Sequence, residues 1–166
     1  TPLVLLLGQR TGPSTGLATY TGQADLRFAL HAGQGEFPRV IIAPGDAREC
    51  FDATIDAFNL AEEFQLPVIV LGDKHLLESD LTADAFPVGN VLINRGKLLP
   101  MQAYTGAQPY LRHQYTDDGV SPRLAPGTPG ALTHTESSVH KETGFYTDNA
   151  ETTQRMADKR YQKLAR

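Results

Sequence analysis

Cysteine is nearly absent from this chain. Cys50 is the only one in 166 residues, which excludes an internal disulfide. It also excludes a cysteine-ligated iron–sulfur cluster held by this chain alone, because such clusters usually take about four thiolates. Long hydrophobic runs are absent too. The longest, Leu3–Leu7, falls far short of the roughly 20 residues of a membrane helix, and no basic stretch precedes it as in a signal peptide. An excess of positive charge is also lacking: the net charge is −4, which argues against general nucleic-acid binding. With 40% hydrophobic and 20% charged residues, the composition is that of an ordinary globular, cytoplasmic domain with a sizeable core.

Three short apolar runs, Leu3–Leu7, Arg39–Ala43 and Pro67–Leu71, lack the alternation of half-exposed strands and predict buried parallel strands. Between the last two the spacing predicts a helix from Ala47 to Gln65. Asp46 and Glu49 stand at capping-box spacing, and Ala47, Cys50, Phe51, Phe58, Ala61 and Phe64 form its apolar face. Shorter helices are predicted over Gln23–His31 and Lys74–Ser79. Val91–Ile93 and Lys97–Leu99 suggest strands around an Asn94-Arg95-Gly96 turn, Ser121–Gly130 reads as irregular, and Ala150–Leu164 as a final helix with Asp148 and Glu151 at capping spacing. The expected organisation is α/β over residues 1–80, an irregular extension over 81–149 and a helix over 150–166 leading to a following domain. Three core strands are few for such a sheet, and the chain opens directly into one. The expectation is a piece of a longer polypeptide whose other strands precede Thr1.

The first strand empties into Gly8-Gln9-Arg10-Thr11-Gly12-Pro13-Ser14-Thr15-Gly16-Leu17-Ala18-Thr19. Glycine lets a backbone turn tightly and approach a ligand closely, and a guanidinium offers a planar fork to a carboxylate or phosphate. Loops at strand C-termini in open α/β sheets are where ligands bind. The spacing matches neither the G-x-G-x-x-G fingerprint nor a Gly-Lys-Ser/Thr phosphate loop. An anion site and a plain structural turn both remain open on these grounds.

Other groups read more simply. His134, Glu136, His140 and Glu142 could in principle hold a divalent metal, but their spacing suits neither one helical nor one strand face, and surface hydrogen bonding is the default. Cys50 sits in a helical apolar pattern and reads as a small buried hydrophobe rather than a catalytic thiol. Asp73, just after the third strand, reads as a helix N-cap before it reads as a site residue. Arg155, Lys159, Arg160, Lys163 and Arg166 make the last helix basic; docking onto a neighbouring domain is favoured over nucleic acid or acidic lipid.

Several segments in order resemble the α subunit of the 2-oxoacid:ferredoxin oxidoreductases, especially the 2-oxoglutarate type. Gln9-Arg10-Thr11-Gly12-Pro13-Ser14-Thr15-Gly16 is similar to that family's Q-R-G/T-G-P-S-T-G loop. Gly35-Glu36-Phe37-Pro38-Arg39 with Ala43-Pro44-Gly45-Asp46, then Ala57–Glu62, Pro67–Lys74, Asn94–Lys97, Gly119–Arg123 and Pro126-Gly127 keep its order and spacing. The resemblance implies part of a pyrimidine-type thiamine diphosphate domain. It also implies oxidative decarboxylation of a 2-oxoacid with coenzyme A, electrons passing to ferredoxin. Arg10 would bind the substrate carboxylate, and Thr11, Gly12, Ser14 and Thr15 would shape its pocket. Thiamine diphosphate, Mg2+ and a 4Fe-4S cluster would be held mainly by a partner β subunit. The family's Y-P-I-T-P stretch and its cofactor-activating glutamate are not found in these residues and are expected before Thr1, so this piece is expected to be inactive alone. His140-Lys141-Glu142-Thr143-Gly144 departs from the family's H-D-E-x-G by a lysine. Two rival readings are a non-catalytic scaffold subunit of the same fold and an independent anion-binding α/β domain.

Overall fold

In the computed structural model, which describes residues 2–165, Leu3–Gly8 forms strand β1. Helix α1 (Leu26–His31), strand β2 (Val40–Ile42), helix α2 (Ala47–Phe64), strand β3 (Pro67–Gly72) and helix α3 (Lys74–Glu78) follow. The strands form one parallel sheet in the order β1-β3-β2, with Leu3 opposite Pro67, Gly8 opposite Gly72 and Val40 opposite Val68. Central β3 explains the unbroken apolar run. Val68 and Val70 point to one face, where they pack with Ala57, Ala61 and Leu66 beside α2; Ile69 and Leu71 point to the other, with Ala29 of α1. The α/β class expected from the sequence is therefore what forms, with a helix on each face.

The edges depart from the expectation of buried strands. β1 pairs along one side only, and Leu3, Leu5 and Leu6 remain about half exposed or more in this unit. An edge strand has fewer neighbours to cover its side chains.

Helix α2 starts where its cap predicts. Asp46 accepts from Glu49 N at 2.8 Å, and Glu49 reaches back one residue further than a capping box, accepting from Gly45 N at 2.7 Å. Its buried stripe differs from the expected one. Ala53, Ala57 and Ala61, four apart, face the core, whereas Phe58 is 58% exposed and Cys50 only half-buried. Small side chains let helix and sheet approach closely, and the rings take the flanks: Phe51 stacks on Phe86 with centroids 4.9 Å apart. The segment after α3 is held to α2 through Asn59, whose amide donates to Leu92 O and accepts from Asn94 N.

The chain divides into two compact units between Asn94 and Arg95. The second contains strands β4 (Leu98–Leu99) and β5 (Arg123–Leu124) and helix α4 (Ala150–Gln162). The expected hairpin around Asn94–Gly96 does not form: residues 91–93 are not a strand, and β4 pairs parallel with β5 instead. Two-residue strands carry no periodicity of their own, so long-range pairing decides them. Helix α4 is capped by Asn149, which accepts from Thr152 N at 2.8 Å, one residue after the expected Asp148. It buries Met156 and stacks Arg155 over Tyr115 at 4.2 Å. Lys97 and Asp118 pair at 2.7 Å; against the opposing effect of burial, this and the Val120 N–H hold the Asp118 carboxyl down to about 2.

Candidate functional site

Gly8 and Gly72 end β1 and β3 side by side at the carboxyl edge of the sheet. Neither has a side chain there, and Leu77 of α3 occupies the space: a Cβ on Gly8 would meet it at 3.3 Å and one on Gly72 at 2.9 Å. The short helix therefore sits directly over the strand ends. Beside it the chain leaves β1 through Gln9, which is buried and donates its backbone N–H to Gly72 O at 2.7 Å. The Gln9 side-chain oxygen accepts from Asp25 N at 3.4 Å, and the Asp25 carboxylate accepts from Arg10 N at 2.7 Å. Residues 9 and 10 are thus clamped to the start of α1.

Between these ties the loop folds on itself. Gly16 N donates to Pro13 O and Leu17 N to Thr11 O, at 3.1 and 3.2 Å. Gly16 has φ of +51°, and a Cβ there would overlap the Thr11 carbonyl, so glycine is required. Ser14 also adopts positive φ, +55°, and the Gly12–Pro13 bond is cis. Of the residues singled out from the sequence, Arg10, Gly12, Ser14 and Thr15 are exposed on this loop. Thr11 is partly buried, with its hydroxyl against Gly22, where a Cβ would overlap it.

The Arg10 guanidinium lies beside α3. Its Nη2 is 4.0 Å from Glu78 Oε1, and Glu78 Oε2 is 2.6 Å from Lys74 Nζ. The Lys74 hydrogen bond, with Coulombic help from Lys74 and Arg10, holds the exposed Glu78 carboxyl below the usual range. Asp73 caps α3 through Leu76 N at 2.9 Å, as expected, and also accepts from Gln23 Nε2 at 2.9 Å. These bonds lower its pKa, the Leu76 N–H most. Thr21 Oγ1 accepts from His75 N at 3.3 Å, a second tie between loop and helix. Gln9, Asp25, Gln23 and Glu78 were not singled out by sequence reasoning. For Asp25 a signal existed, an acidic residue just ahead of an apolar run at cap position; for Glu78 there was none.

The C-terminal end of α1 has a further support. Arg39 stacks on Phe37 at 4.2 Å and donates to the carbonyls of Ala29 and Ala32, closing the C-terminal end of α1. That gives the Gly35–Arg39 segment a structural role behind the loop.

The remaining candidates resolve into local contacts. His134 bonds Glu136 at 3.0 Å, Glu136 also accepts from Tyr146 N, Glu142 accepts from Tyr115 N, and His140 lies against the His113 ring at 4.1 Å. Among the described residues, no group of three His, Cys, Asp or Glu side chains is placed to hold a metal ion. The Cys50 thiol is pushed up by burial and then by Asp46 and Glu49, the opposite of activation. No helix among the described residues is long and apolar enough to cross a membrane.

Comparison with known proteins gives this arrangement a context. A family model described as pyruvate flavodoxin/ferredoxin oxidoreductase, thiamine diphosphate-binding, matches residues 1–159. The α subunit of a 2-oxoacid:ferredoxin oxidoreductase from Saccharolobus solfataricus is 42% identical over 98% of this chain, which covers 25% of that protein. The 2-oxoglutarate synthase subunit KorA of Methanothermobacter thermautotrophicus is 32% identical over 87% of the chain, covering 37% of that protein. The solved 2-oxoglutarate:ferredoxin oxidoreductase from Magnetococcus marinus, with 2-oxoglutarate, coenzyme A and succinyl-CoA bound, superposes with a TM-score of 0.88 at 37% identity. That match takes in 99% of this chain and 28% of the other. The chain spans about a quarter of the length of the curated 2-oxoacid:ferredoxin oxidoreductase α subunits it matches.

Proposed function

The chain belongs to the pyruvate flavodoxin/ferredoxin oxidoreductase family of thiamine diphosphate-binding domains, and on that footing we propose that it is part of the α subunit of a 2-oxoacid:ferredoxin oxidoreductase. Such an enzyme converts a 2-oxoacid and coenzyme A to an acyl-CoA and carbon dioxide, and two electrons pass to ferredoxin. The substrate we favour is 2-oxoglutarate. The names of the KorA relatives and the ligands of the Magnetococcus marinus enzyme support that choice. A cytoplasmic location belongs to the same reading.

One observation carries the role of the loop. Arg10 is fixed at its backbone by Asp25 yet presents a half-exposed guanidinium at the carboxyl edge of a parallel sheet, where ligands of open α/β folds bind. A planar, permanently charged fork pairs with a carboxylate through two parallel hydrogen bonds. Arg10 would hold the substrate carboxylate and orient the adjacent keto carbon, with Thr11, Gly12, Ser14 and Thr15 forming the wall of that pocket. Positioning of this kind lowers the entropic part of the barrier.

The chain has one cysteine, and no three acidic, histidine or cysteine side chains among the described residues converge on a metal position. We infer that thiamine diphosphate, Mg2+ and a 4Fe-4S cluster are held mainly by the partner β subunit.

The test is Arg10→Ala in the full-length α subunit co-expressed with its β partner. Loss of a charge-assisted carboxylate contact should raise KM for the 2-oxoacid by an amount equivalent to about 2–4 kcal/mol. Arg10→Lys should recover only part of it, because the ammonium cannot make the paired contact. Wild-type KM and turnover in both variants would overturn the assignment.

A further inference from the structure

Lys74, Glu78 and Arg10 form a row across the mouth of the loop. Glu78 Oε2 bonds Lys74 Nζ at 2.6 Å, and its other oxygen stands 4.0 Å from Arg10 Nη2, too far for a hydrogen bond. We infer that Glu78 is a resident carboxylate that competes with the anionic substrate for Arg10 and so sets the affinity of the site. This rests on the reading of Arg10 as a carboxylate clamp.

The geometry behind this competition is built rather than incidental. Helix α3 is seated on Gly8 and Gly72 through Leu77, and tied to the loop through Gln23–Asp73 and Thr21–His75. Arg10 is tied at its backbone to Asp25. Both side chains thus start from segments that are tied to their neighbours. Lys74, four residues before Glu78 on the same helix, draws the carboxylate to one side. The result is a loose pair with Arg10, its side chains 45% and 54% exposed, and exposed pairs at such distances contribute little. A substrate carboxylate meeting the guanidinium with two short bonds displaces it readily, and Lys74 keeps Glu78 neutralised after it moves away. A neutral ligand gains nothing from that exchange. The row therefore favours anionic substrates only when their contact with Arg10 is better than the one Glu78 already makes.

The experiment compares Glu78→Gln, Glu78→Asp, Arg10→Ala and the double variant Arg10→Ala/Glu78→Gln in the full-length α subunit with its β partner. KM and kcat are measured with 2-oxoglutarate and with pyruvate. Glu78→Gln removes the competing charge; Glu78→Asp keeps a charge but loses a methylene of reach. Both should lower KM by about threefold, with the change falling on KM rather than kcat, and the effect should vanish when Arg10 is alanine. An unchanged or raised KM in the Glu78 variants overturns the inference. So does a fall seen with Gln but not Asp, or one that persists without Arg10, since either marks a general charge effect. If Arg10→Ala raises KM while the Glu78 variants are silent, only the competition is lost. If Arg10→Ala itself leaves KM at the wild-type value, the clamp reading has failed and this inference with it.

Discussion

Gly16 shapes the loop more than any side chain in it. Its positive φ and its contact with the Thr11 carbonyl leave no room for a Cβ, so Gly16→Ala must reopen the turn that holds Leu17 against Thr11. The strain should be about 1–3 kcal/mol, confined to the loop. The expected outcome is a raised KM with a nearly unchanged melting temperature of the full-length subunit; a large fall in melting temperature would mean the loop supports the core. At this scale Arg10 was legible, because a distinctive string of residues surrounds it. Asp25 and Glu78 were harder. Glu78 lies 68 positions from Arg10 in the chain, and the two meet only because β1 and β3 pair with Gly8 opposite Gly72.

Elements were legible in proportion to how much of their stability is local. Helix α2 runs from Ala47 to Phe64 against an expected Ala47–Gln65, since its cap and length are written in consecutive residues. Asp46→Ala should remove the bond to Glu49 N and destabilise the protein by about 0.5–2 kcal/mol, measured as a lower melting temperature. Asp46→Asn, which keeps an acceptor, should recover most of it. The apolar face of the same helix was misjudged. Sequence period offers Phe58 and Ala57 as neighbours of equal standing, and only the sheet's distance from the helix selects the alanines. Strands β4 and β5 fail for a related reason: two residues each, they exist because Leu98 and Leu99 find Arg123 and Leu124.

Across the whole molecule, the second unit carries partly buried titratable groups that tie stability to pH. Burial, then the neighbouring His140 and Arg112, lowers His113 to about 3. Lys159 and Lys163 are each lowered to about 8, first by burial; Arg112 adds for Lys159 and Lys159 for Lys163. In each case the folded pKa lies below the unfolded one, so the unfolded chain binds more protons between the two values and stability rises with pH there. The windows are about pH 3 to 6.5 for His113 and about 8 to 10.5 for the lysines. Acidification through the first window should therefore destabilise the protein, and His113→Gln should flatten that slope. Lys159→Met should flatten the alkaline rise. Denaturant melts across pH would check both, and parallel slopes in variant and wild type would refute the assignment.

The sequence by itself determined the α/β class, the three parallel strands, the cap of α2 and the loop that carries Arg10. Each of these depends on neighbours in the chain: an apolar run, a capping residue, glycines around a guanidinium. Only the tertiary structure decided which face of α2 is buried, how the short strands pair, and that Lys74 and Glu78 stand beside Arg10. Those relations depend on strand register and on the room that Gly8 and Gly72 leave for Leu77, which no stretch of sequence specifies alone.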